Sequence, residues 1–366
     1  ISDAVEGLKG RDIPVIADTY EIVFVDGLYQ AELSSQDLPA GVTVAPISAA
    51  LKTDAEQIQS VLASPCPEAV DSFTHLNRAF FTEGAFIKVA RKTIVDKPIR
   101  IVHFSQTAEA ISQPRNVVVI EDQAEAEILE EYIADRASEL CYFSNAVTDI
   151  QLAQAATLRH YKNQSESTAA YHIASTRVKV ARDANYQGIA FNSGSLLARH
   201  NIDIELNGEN AHATANGLYT TKDNQLSDTH SVINHNLPHT TCEQLYKGIL
   251  DDRSRAIFNG KVHIVKDAQK SDSNQLNKNI LLNRSARVDT KPELEVYADD
   301  VKAAHGATIG QLDEEELFYL QSRCIDKEAA TSLLIHAFMN DLIMQIKNDG
   351  IREYINTHFD TFFDIK

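Results

Sequence analysis

Positive charge is in short supply in this sequence: 34 Lys and Arg residues stand against 52 Asp and Glu residues, giving a net charge of −18. Nucleic acids and anionic membrane surfaces are recognised through clustered positive charge, so we expect neither as a partner. No run of about 18 apolar residues is present, which predicts that no helix spans a membrane. With 43% hydrophobic and 23% charged residues, the composition excludes wholesale disorder.

Cysteine is also scarce and shows no CxxC spacing; the four residues are Cys66, Cys141, Cys242 and Cys324. This pattern is typical of a reducing compartment and opposes a disulfide framework. The opening residues, ISDAVEGLKG, contain neither an initiator Met nor the apolar region of a signal peptide. We therefore expect a cytoplasmic protein, with an N-terminal region that is incomplete in this sequence.

Several common catalytic motifs are missing. The chain lacks GxxxxGK[ST], the loop that holds nucleotide phosphates in Walker-type ATPases, and it also lacks HExxH, GxSxG and GxGxxG. These absences count against ATPase, zinc-protease, hydrolase and dinucleotide-dependent activities, and they leave other enzyme classes open.

Residues 1–80 have a mixed pattern with one clear helical segment. Thr53 and Glu56 form a capping box, and apolar residues follow at helical spacing. Pro65-Cys66-Pro67 is predicted to end that helix.

From about residue 86 to residue 310 the hydrophobic pattern has a period of two. Alternation is clearest in segments 98–101, 149–152, 177–180, 202–206 and 293–296, each of which predicts a half-buried strand. Asn-Gly pairs at 207–208, 216–217 and 259–260 predict turns between strands. Many short strands without intervening helices indicate a sandwich, a barrel, a propeller or a β-solenoid.

The strands show no fixed sequence repeat, which disfavours a propeller. A parallel β-helix tolerates uneven turns, and the helical segments on both sides of the strands are suited to cover its ends. The residue pattern alone leaves the β-helix and the sandwich as open alternatives.

The C-terminal region is predicted to be helical. Asp313 and Glu316 provide an N-cap acid and a Glu three residues later. A second helix is expected from about residue 327 to residue 348, with Gly350 as its stop signal. Its predicted apolar stripe consists of Ala330, Leu333, Leu334, Ala337, Phe338 and Leu342.

Histidines cluster between residues 200 and 240, at His200, His212, His230, His235 and His239. The spacing of His235, His239 and Cys242 suits zinc ligands only on a helix or tight turn. In a strand, His235 and His239 would lie about 13 Å apart, too far for one ion. We therefore interpret these histidines as hydrogen-bonding structural residues.

Three further segments carry polar side chains. The amides between Asn274 and Asn283 are interpreted as a structural ladder of hydrogen bonds. The alternating charges from Arg287 to Asp300 are interpreted as a solvated face with the capacity to bind a cation.

His305 lies beside Gly306, at the junction between the strand region and the C-terminal helices. A lone histidine is more often a packing residue than a ligand, although imidazole is the commonest metal ligand.

From the histidine-rich segment onward, the sequence resembles the SufB/SufD family of iron–sulfur cluster assembly proteins. The resemblance is carried by a long ordered string of segments: 235–241 (HNLPHTT), 244–250 (QLYKGIL), 256–262 (AIFNGKV), 268–270 (AQK), 279–282 (NILL), 292–296 (PELEV), 305–310 (HGATIG) and 317–323 (LFYLQSR). The first two-thirds of the chain matches this family only loosely.

The resemblance implies a right-handed parallel β-helix with helical ends. It divides the chain into an N-terminal mixed region (1–80), a β-helix core (81–312) and a C-terminal helical region (313–366). It also implies a scaffold that is not an enzyme. Such a scaffold pairs with a SufB-like paralogue through the β-helices and with the SufC ATPase through the C-terminal region, where Leu317, Phe318, Tyr319 and Arg323 are the candidate docking residues.

His305 matches the family histidine proposed, on the SufD side, to take part in assembling a nascent cluster at the paralogue interface. The resemblance implies that His305 binds iron or a transient Fe–S cluster shared with the partner, and that this chain alone binds neither stably. In isolation the chain is expected to form a homodimer, since self-pairing through the same edge would be a twofold contact.

Two positions depart from the family pattern. Ala303 replaces a cysteine that family members often carry two residues before the histidine, so sulfur ligands for a cluster must come from the other subunit. This favours a SufD-like identity. Cys324 replaces a glycine and is interpreted as a small buried hydrophobe. The alternatives are a SufB-like paralogue or a β-helix enzyme acting on polysaccharide.

Overall fold

Strands make up the centre of the chain in the structure, a computed structural model that describes residues 13–63, 72–135 and 139–363. In chain order the strands are β1 (Tyr20–Val25), β2 (Leu28–Tyr29), β3 (Val42–Pro46), β4 (Ala85–Val89), β5 (Ile99–Ser105), β6 (Ile111–Ser112), β7 (Arg115–Ile120), β8 (Glu125–Ala134), β9 (Phe143–Leu152), β10 (Thr157–Ser165), β11 (Tyr171–Val180), β12 (Asn185–Asn192), β13 (Leu197–Leu206), β14 (His212–Thr221), β15 (Leu226–His235), β16 (Thr241–Leu250), β17 (Arg255–Ile264), β18 (Asp272–Leu281), β19 (Arg287–Val296) and β20 (Lys302–Gly310).

From β7 onward, successive strands alternate between two sheets, so that each strand pairs with strands one turn away; before it, β1 and β2, and β3 and β4, pair antiparallel within one sheet. Sheet A has the order β2-β1-β5-β8-β10-β12-β14-β16-β18-β20, and sheet B has the order β19-β17-β15-β13-β11-β9-β7-β4-β3. Pairing between successive turns is parallel and in register, as between β16 and β18. The chain is therefore a parallel β-solenoid of about eight turns. The predicted β-helix is confirmed, and the sandwich alternative is wrong.

Most corners that lead from sheet B into sheet A share one backbone device. The six consecutive corners from β7–β8 to β17–β18 each place a residue in the left-handed region, at Gln123, Ala155, Asp183, Asn210, His239 and Lys270. Consecutive members of this set are 27 to 32 residues apart. Because the corner is occupied by six different residue types and the turn length varies, the structural repeat leaves no fixed repeat in the sequence.

Two of the three predicted Asn-Gly turns are wrong. Asn207-Gly208 does lie in the connection between β13 and β14, but Gly217 and Gly260 lie inside strands β14 and β17. Their role is steric, because a Cβ on Gly217 would overlap the buried ring of Tyr246 in the next turn. Glycine is used here for close approach and not for a positive φ.

The N-terminal region joins the solenoid directly. Strand β1 lies within the first 80 residues and pairs in parallel with β5 of sheet A. Three helices follow in the same region, α1 (Ile47–Ala50), α2 (Ala55–Leu62) and α3 (Ser72–Phe80). Helix α2 confirms the helix predicted after Thr53, although its N-cap is Asp54. The segment Pro65-Cys66-Pro67, predicted to end it, lies outside the described residues.

The C-terminal region forms helices α4 (Glu314–Gln321), α5 (Lys327–Ile343) and α6 (Asp349–Phe362). The last two pack on the outer face of sheet A through an apolar cluster that includes Ile249, Met339 and Phe359. Buried Lys247 reinforces this contact, because its ammonium group donates to the Phe338 carbonyl at 2.6 Å and to the Asp341 carboxylate at 2.5 Å. No helix within the described residues is long and apolar enough to cross a membrane.

The predicted boundary and apolar stripe of α5 need correction. The helix ends at Ile343 and not near residue 348, since the Asn348 side chain accepts from the Ile351 amide and caps a new helix. Gly350 therefore lies in the first turn of α6. Leu333 is half exposed, and Ile335 and Met339 point into the core with Ala330 and Leu342.

The steric role of Gly217 can be tested by Gly217→Ala. Added volume in a packed core costs about 1–3 kcal/mol of the free energy of unfolding, and we expect a loss of that size by urea denaturation. Gly310→Ala is the matched control, because a Cβ there would meet no atom within 4 Å. Equal stability of the two variants would contradict the packing argument.

Candidate functional site

The solenoid ends in two strands that are exposed on one side. Among the described strands, β20 pairs only with β18 and β19 pairs only with β17. Most side chains of both terminal strands are exposed or half-buried. We call β19 and β20 the terminal turn. It presents unpaired backbone donors and acceptors that the inner turns bond to their neighbours.

His305 lies on β20 in this terminal turn. It is in register with Gln275 of β18, which points into the solenoid and is 1% exposed. His305 therefore belongs to an inward-facing row of side chains, and it is exposed because no further turn covers it. Ala303, two residues earlier on the same face, is half-buried against the core.

Among the described residues, His305 is not part of a complete metal site. The part of the chain that the structure describes holds no group of three or more His, Cys, Asp or Glu side chains placed to share an ion. His305 itself can offer one ring nitrogen to a metal ion.

The four predicted docking residues lie on or next to helix α4. Its N-terminus is capped by the Asp313 carboxylate, which accepts from the amides of residues 315 and 316. Phe318 is 71% exposed and Tyr319 is 55% exposed. Arg323 lies 4.5 Å from the centre of the Tyr319 ring and donates to its hydroxyl, while Leu317 is half-buried. The structure therefore brings these residues together on one exposed helix.

The prediction that Cys324 is a small buried hydrophobe is wrong. Cys324 is exposed and follows α4 in the left-handed region, with a φ of 65°. This conformation explains why a glycine suits the position, since glycine adopts it without a Cβ penalty.

The histidines between residues 200 and 240 are structural, as the sequence predicted. His200 bonds the Thr176 hydroxyl at 2.9 Å, and His235 bonds the Thr240 hydroxyl at 2.9 Å. His239 occupies a left-handed corner position and does not share a site with them. Burial raises the pKa of the Cys242 thiol to about 12, so at neutral pH the thiol stays protonated and is not prepared to bind a metal. Burial lowers the pKa of His235 to about 4, which keeps its imidazole neutral and hydrogen-bonded to Thr240 at neutral pH.

The predicted amide ladder is also present. Asn279 donates to the side-chain Oδ1 atom of Asn277 at 2.7 Å, and Asn277 donates to the Tyr219 hydroxyl at 3.1 Å. The two amides lie on the same strand, and Tyr219 reaches them from β14, two turns earlier; all three side chains are buried. The segment is structural.

A cluster of charged side chains inside the solenoid was not predicted. Glu130 accepts from His160 at 2.9 Å and from the Tyr132 hydroxyl at 2.6 Å. Lys162 lies 3.1 Å from His172, whose other ring nitrogen is 2.7 Å from Glu166. All of these groups are buried, and burial, the largest cause, lowers the pKa of Lys162 to about 8 although both carboxylates favour its charged form.

This cluster borders an internal cavity of about 20 Å³, lined in part by His160, Lys162 and His200. A cavity of this size has room for about one water molecule. The feature of the sequence that could have revealed the cluster is the presence of charged residues at positions of β8 and β10 that point inward. The cluster was not predicted, because the alternation of buried and exposed residues gave no reason to place those charges inside the solenoid.

The buried histidines predict acid sensitivity. The pKa of His235 is about 4 in the folded state and near 6.5 in the unfolded state, so only the unfolded state takes up the proton between these values. The free energy of unfolding should therefore fall as the pH drops from 6.5 to 4. For His235→Leu we expect that fall between pH 7 and pH 4.5 to be roughly 2–3 kcal/mol smaller.

The measurement is urea denaturation of both proteins at the two pH values. His239→Asn serves as the control, because residue 239 is exposed at a corner and Asn tolerates its left-handed conformation. A His235→Leu profile identical to that of the control would show that His235 is not the group responsible.

Two family models match this chain, one over its N-terminal part and one over most of the solenoid and the first C-terminal helices. The family model for the SufBD core domain of the SUF system for FeS cluster assembly matches residues 103–338, and the model for the SufBD N-terminal region matches residues 11–101. A SufBD family protein of Synechocystis is 36% identical over 334 residues, which cover 89% of this chain and 74% of that protein.

Two further relatives have similar coverage. SufD of Escherichia coli is 32% identical over 344 residues, 92% of this chain and 78% of its own length. The chloroplastic protein ABCI7 of Arabidopsis thaliana is 31% identical over 345 residues, 92% of this chain and 72% of its own length. The resemblance noted in the sequence is confirmed: the chain belongs to the SufBD family of SUF-system iron–sulfur cluster assembly proteins and is close to SufD.

Proposed function

We propose that this chain is a SufD-like scaffold subunit without catalytic activity of its own. It pairs with a SufB-like paralogue through the terminal turn, holds a SufC-like ATPase through α4, and supports iron entry and cluster assembly. The observation that carries the proposal is the terminal turn itself, whose two exposed strand edges lie beside His305. Cytoplasm is the predicted compartment.

The terminal turn is suited to strand pairing with a similar solenoid. Exposed strand edges recruit other strands unless something blocks them. Val296, Tyr297 and Ile309 add exposed apolar surface beside these edges. Charged side chains on β19, such as Arg287 and Asp289, would restrict the choice to a partner with complementary charges.

The proposed cargo is iron or a nascent cluster, bound by a ring nitrogen of His305. A neutral imidazole is a common ligand for iron, and exposure at the end of the solenoid gives the ion access. Ala303 offers no thiolate on this strand. The sulfur ligands would therefore belong to the SufB-like partner.

The proposed ATPase contact is the exposed surface of α4. A helix with exposed Phe318 and Tyr319 offers the aromatic contacts that are enriched at protein interfaces. Since the chain lacks a Walker-type loop, ATP hydrolysis in the complex would be carried out by the partner. We prefer the scaffold to a polysaccharide-acting enzyme because the family model for SUF-system FeS cluster assembly covers residues 103–338.

Co-expression tests the scaffold role. With this chain tagged and SufB-like and SufC-like proteins present under anaerobic conditions, we expect both partners to co-purify, with stoichiometry read by light scattering. Phe318→Ser should lose the ATPase and keep the paralogue, because it removes an exposed aromatic anchor. Leu28→Ser, at the opposite edge of sheet A, is the control and should keep both. A lone homodimer would contradict the proposal.

The ligand role of His305 is tested separately by His305→Ala in the assembled complex. We expect normal assembly with a loss of roughly tenfold or more in bound iron and in cluster delivery to an acceptor apoprotein, since a ligand nitrogen is removed. His239→Asn, which changes an exposed histidine elsewhere, should retain both. Unchanged delivery by His305→Ala would remove the ligand role and leave the scaffold role intact.

A further inference from the structure

A short chain of amide hydrogen bonds runs along the inside of the solenoid toward its end. Gln244 donates through Nε2 to the Ser231 hydroxyl at 2.8 Å. Gln275, one turn further on, donates through Nε2 to the Gln244 Oε1 atom at 2.5 Å. All three side chains are buried. Gly260, in strand β17, leaves room for this chain, because a Cβ there would overlap the Gln275 amide.

The direction of these bonds determines where the last amide oxygen lies. The Nε2 atom of Gln275 already donates a hydrogen bond to the preceding turn. Its Oε1 atom lies on the other side of the amide group and is therefore available to a donor on the following turn. That oxygen is buried and has no hydrogen-bond partner in the described part of the chain. An unpaired buried acceptor is costly and requires a donor.

The following turn supplies one candidate donor at the right place. His305 is the residue in register with Gln275, and both lie in the inward-facing row. In parallel strands, paired residues are separated by one strand spacing of about 4.8 Å, which is the range that stacked side chains bridge. The His305 ring is exposed, so its side-chain torsions can turn an N–H group toward the amide oxygen.

We infer that Gln275 Oε1 accepts a hydrogen bond from one ring N–H of His305 and thereby orients the imidazole. One ring nitrogen of a neutral imidazole is a donor and the other carries a lone pair. Holding the donor inside the solenoid directs the lone pair toward the open end, where an incoming metal ion can reach it. Gln275 is a positioning residue of the kind that fixes metal-binding histidines through the second ring nitrogen.

The hydrogen bond can be tested without any metal. In the full-length chain labelled with ¹⁵N-histidine, an exposed ring N–H exchanges rapidly with water unless it is hydrogen-bonded. We expect a protected ring N–H signal that disappears in His305→Gln, which assigns it. The signal should be lost in Gln275→Leu and kept in Gln275→Glu, since glutamate retains an acceptor oxygen at the same place.

Asn274→Ala is the matched control, because Asn274 is the preceding residue of β18 and its side chain is exposed on the outer face. It should leave the signal unchanged. Persistence of the signal in Gln275→Leu, or its absence from the unaltered chain, would overturn the inference.

The expected effect of Gln275 on metal binding by His305 rests on the proposed function, so it is measured in a separate experiment. Anaerobic titration with Fe²⁺ of the complex assembled with the SufB-like and SufC-like partners should show an affinity about 10- to 100-fold lower in Gln275→Leu than in Asn274→Ala. If His305→Ala leaves Fe²⁺ binding unchanged while the ring signal still depends on Gln275, the ligand role fails and the positioning contact stands. If His305→Ala loses Fe²⁺ binding while the ring signal does not depend on Gln275, the ligand role stands and the positioning contact fails.

Discussion

Parallel, in-register stacking of successive turns is the constraint on which the rest of this structure depends. Each inner strand satisfies its backbone groups with the turns before and after it, and residues about thirty positions apart become neighbours. Nothing in this pairing itself limits the number of turns. The end of the stack therefore exposes an unsatisfied edge, and in this chain the edge is where His305 and the half-exposed side chains of β19 and β20 are found.

The same stacking explains how polar and charged side chains are accommodated inside. Glu130 lies one turn before His160, which bonds it across one strand spacing, and Lys162 meets His172 across the interior, from sheet A to sheet B. Further along, the charged cluster gives way to amides and hydroxyls, ending with Gln275. The interior of the solenoid thus changes from an ion-paired core to a neutral hydrogen-bonded row toward the terminal turn. The interior side chains that precede His305 in this row are therefore uncharged.

The C-terminal helices divide into two parts that differ in packing. Helices α5 and α6 bury an apolar face on sheet A, and Lys247 fastens α5 to the solenoid. Helix α4 has no buried residue and extends the exposed surface beyond the terminal turn. A partner bound to α4 would therefore contact a rigid scaffold through a helix that contributes little to the core.

The sequence by itself determined the strand character of residues 86–310, through alternation, and the start of the first C-terminal helix, through the acidic cap at Asp313. Its ordered family segments also indicated the fold and His305. Only the tertiary structure decided which neighbours meet across turns: Tyr246 over Gly217, His160 beside Glu130, and Gln275 beneath His305. Local patterns report whether a side chain faces inward. They do not report what lies one turn away, because turn lengths of 27 to 32 residues set that register.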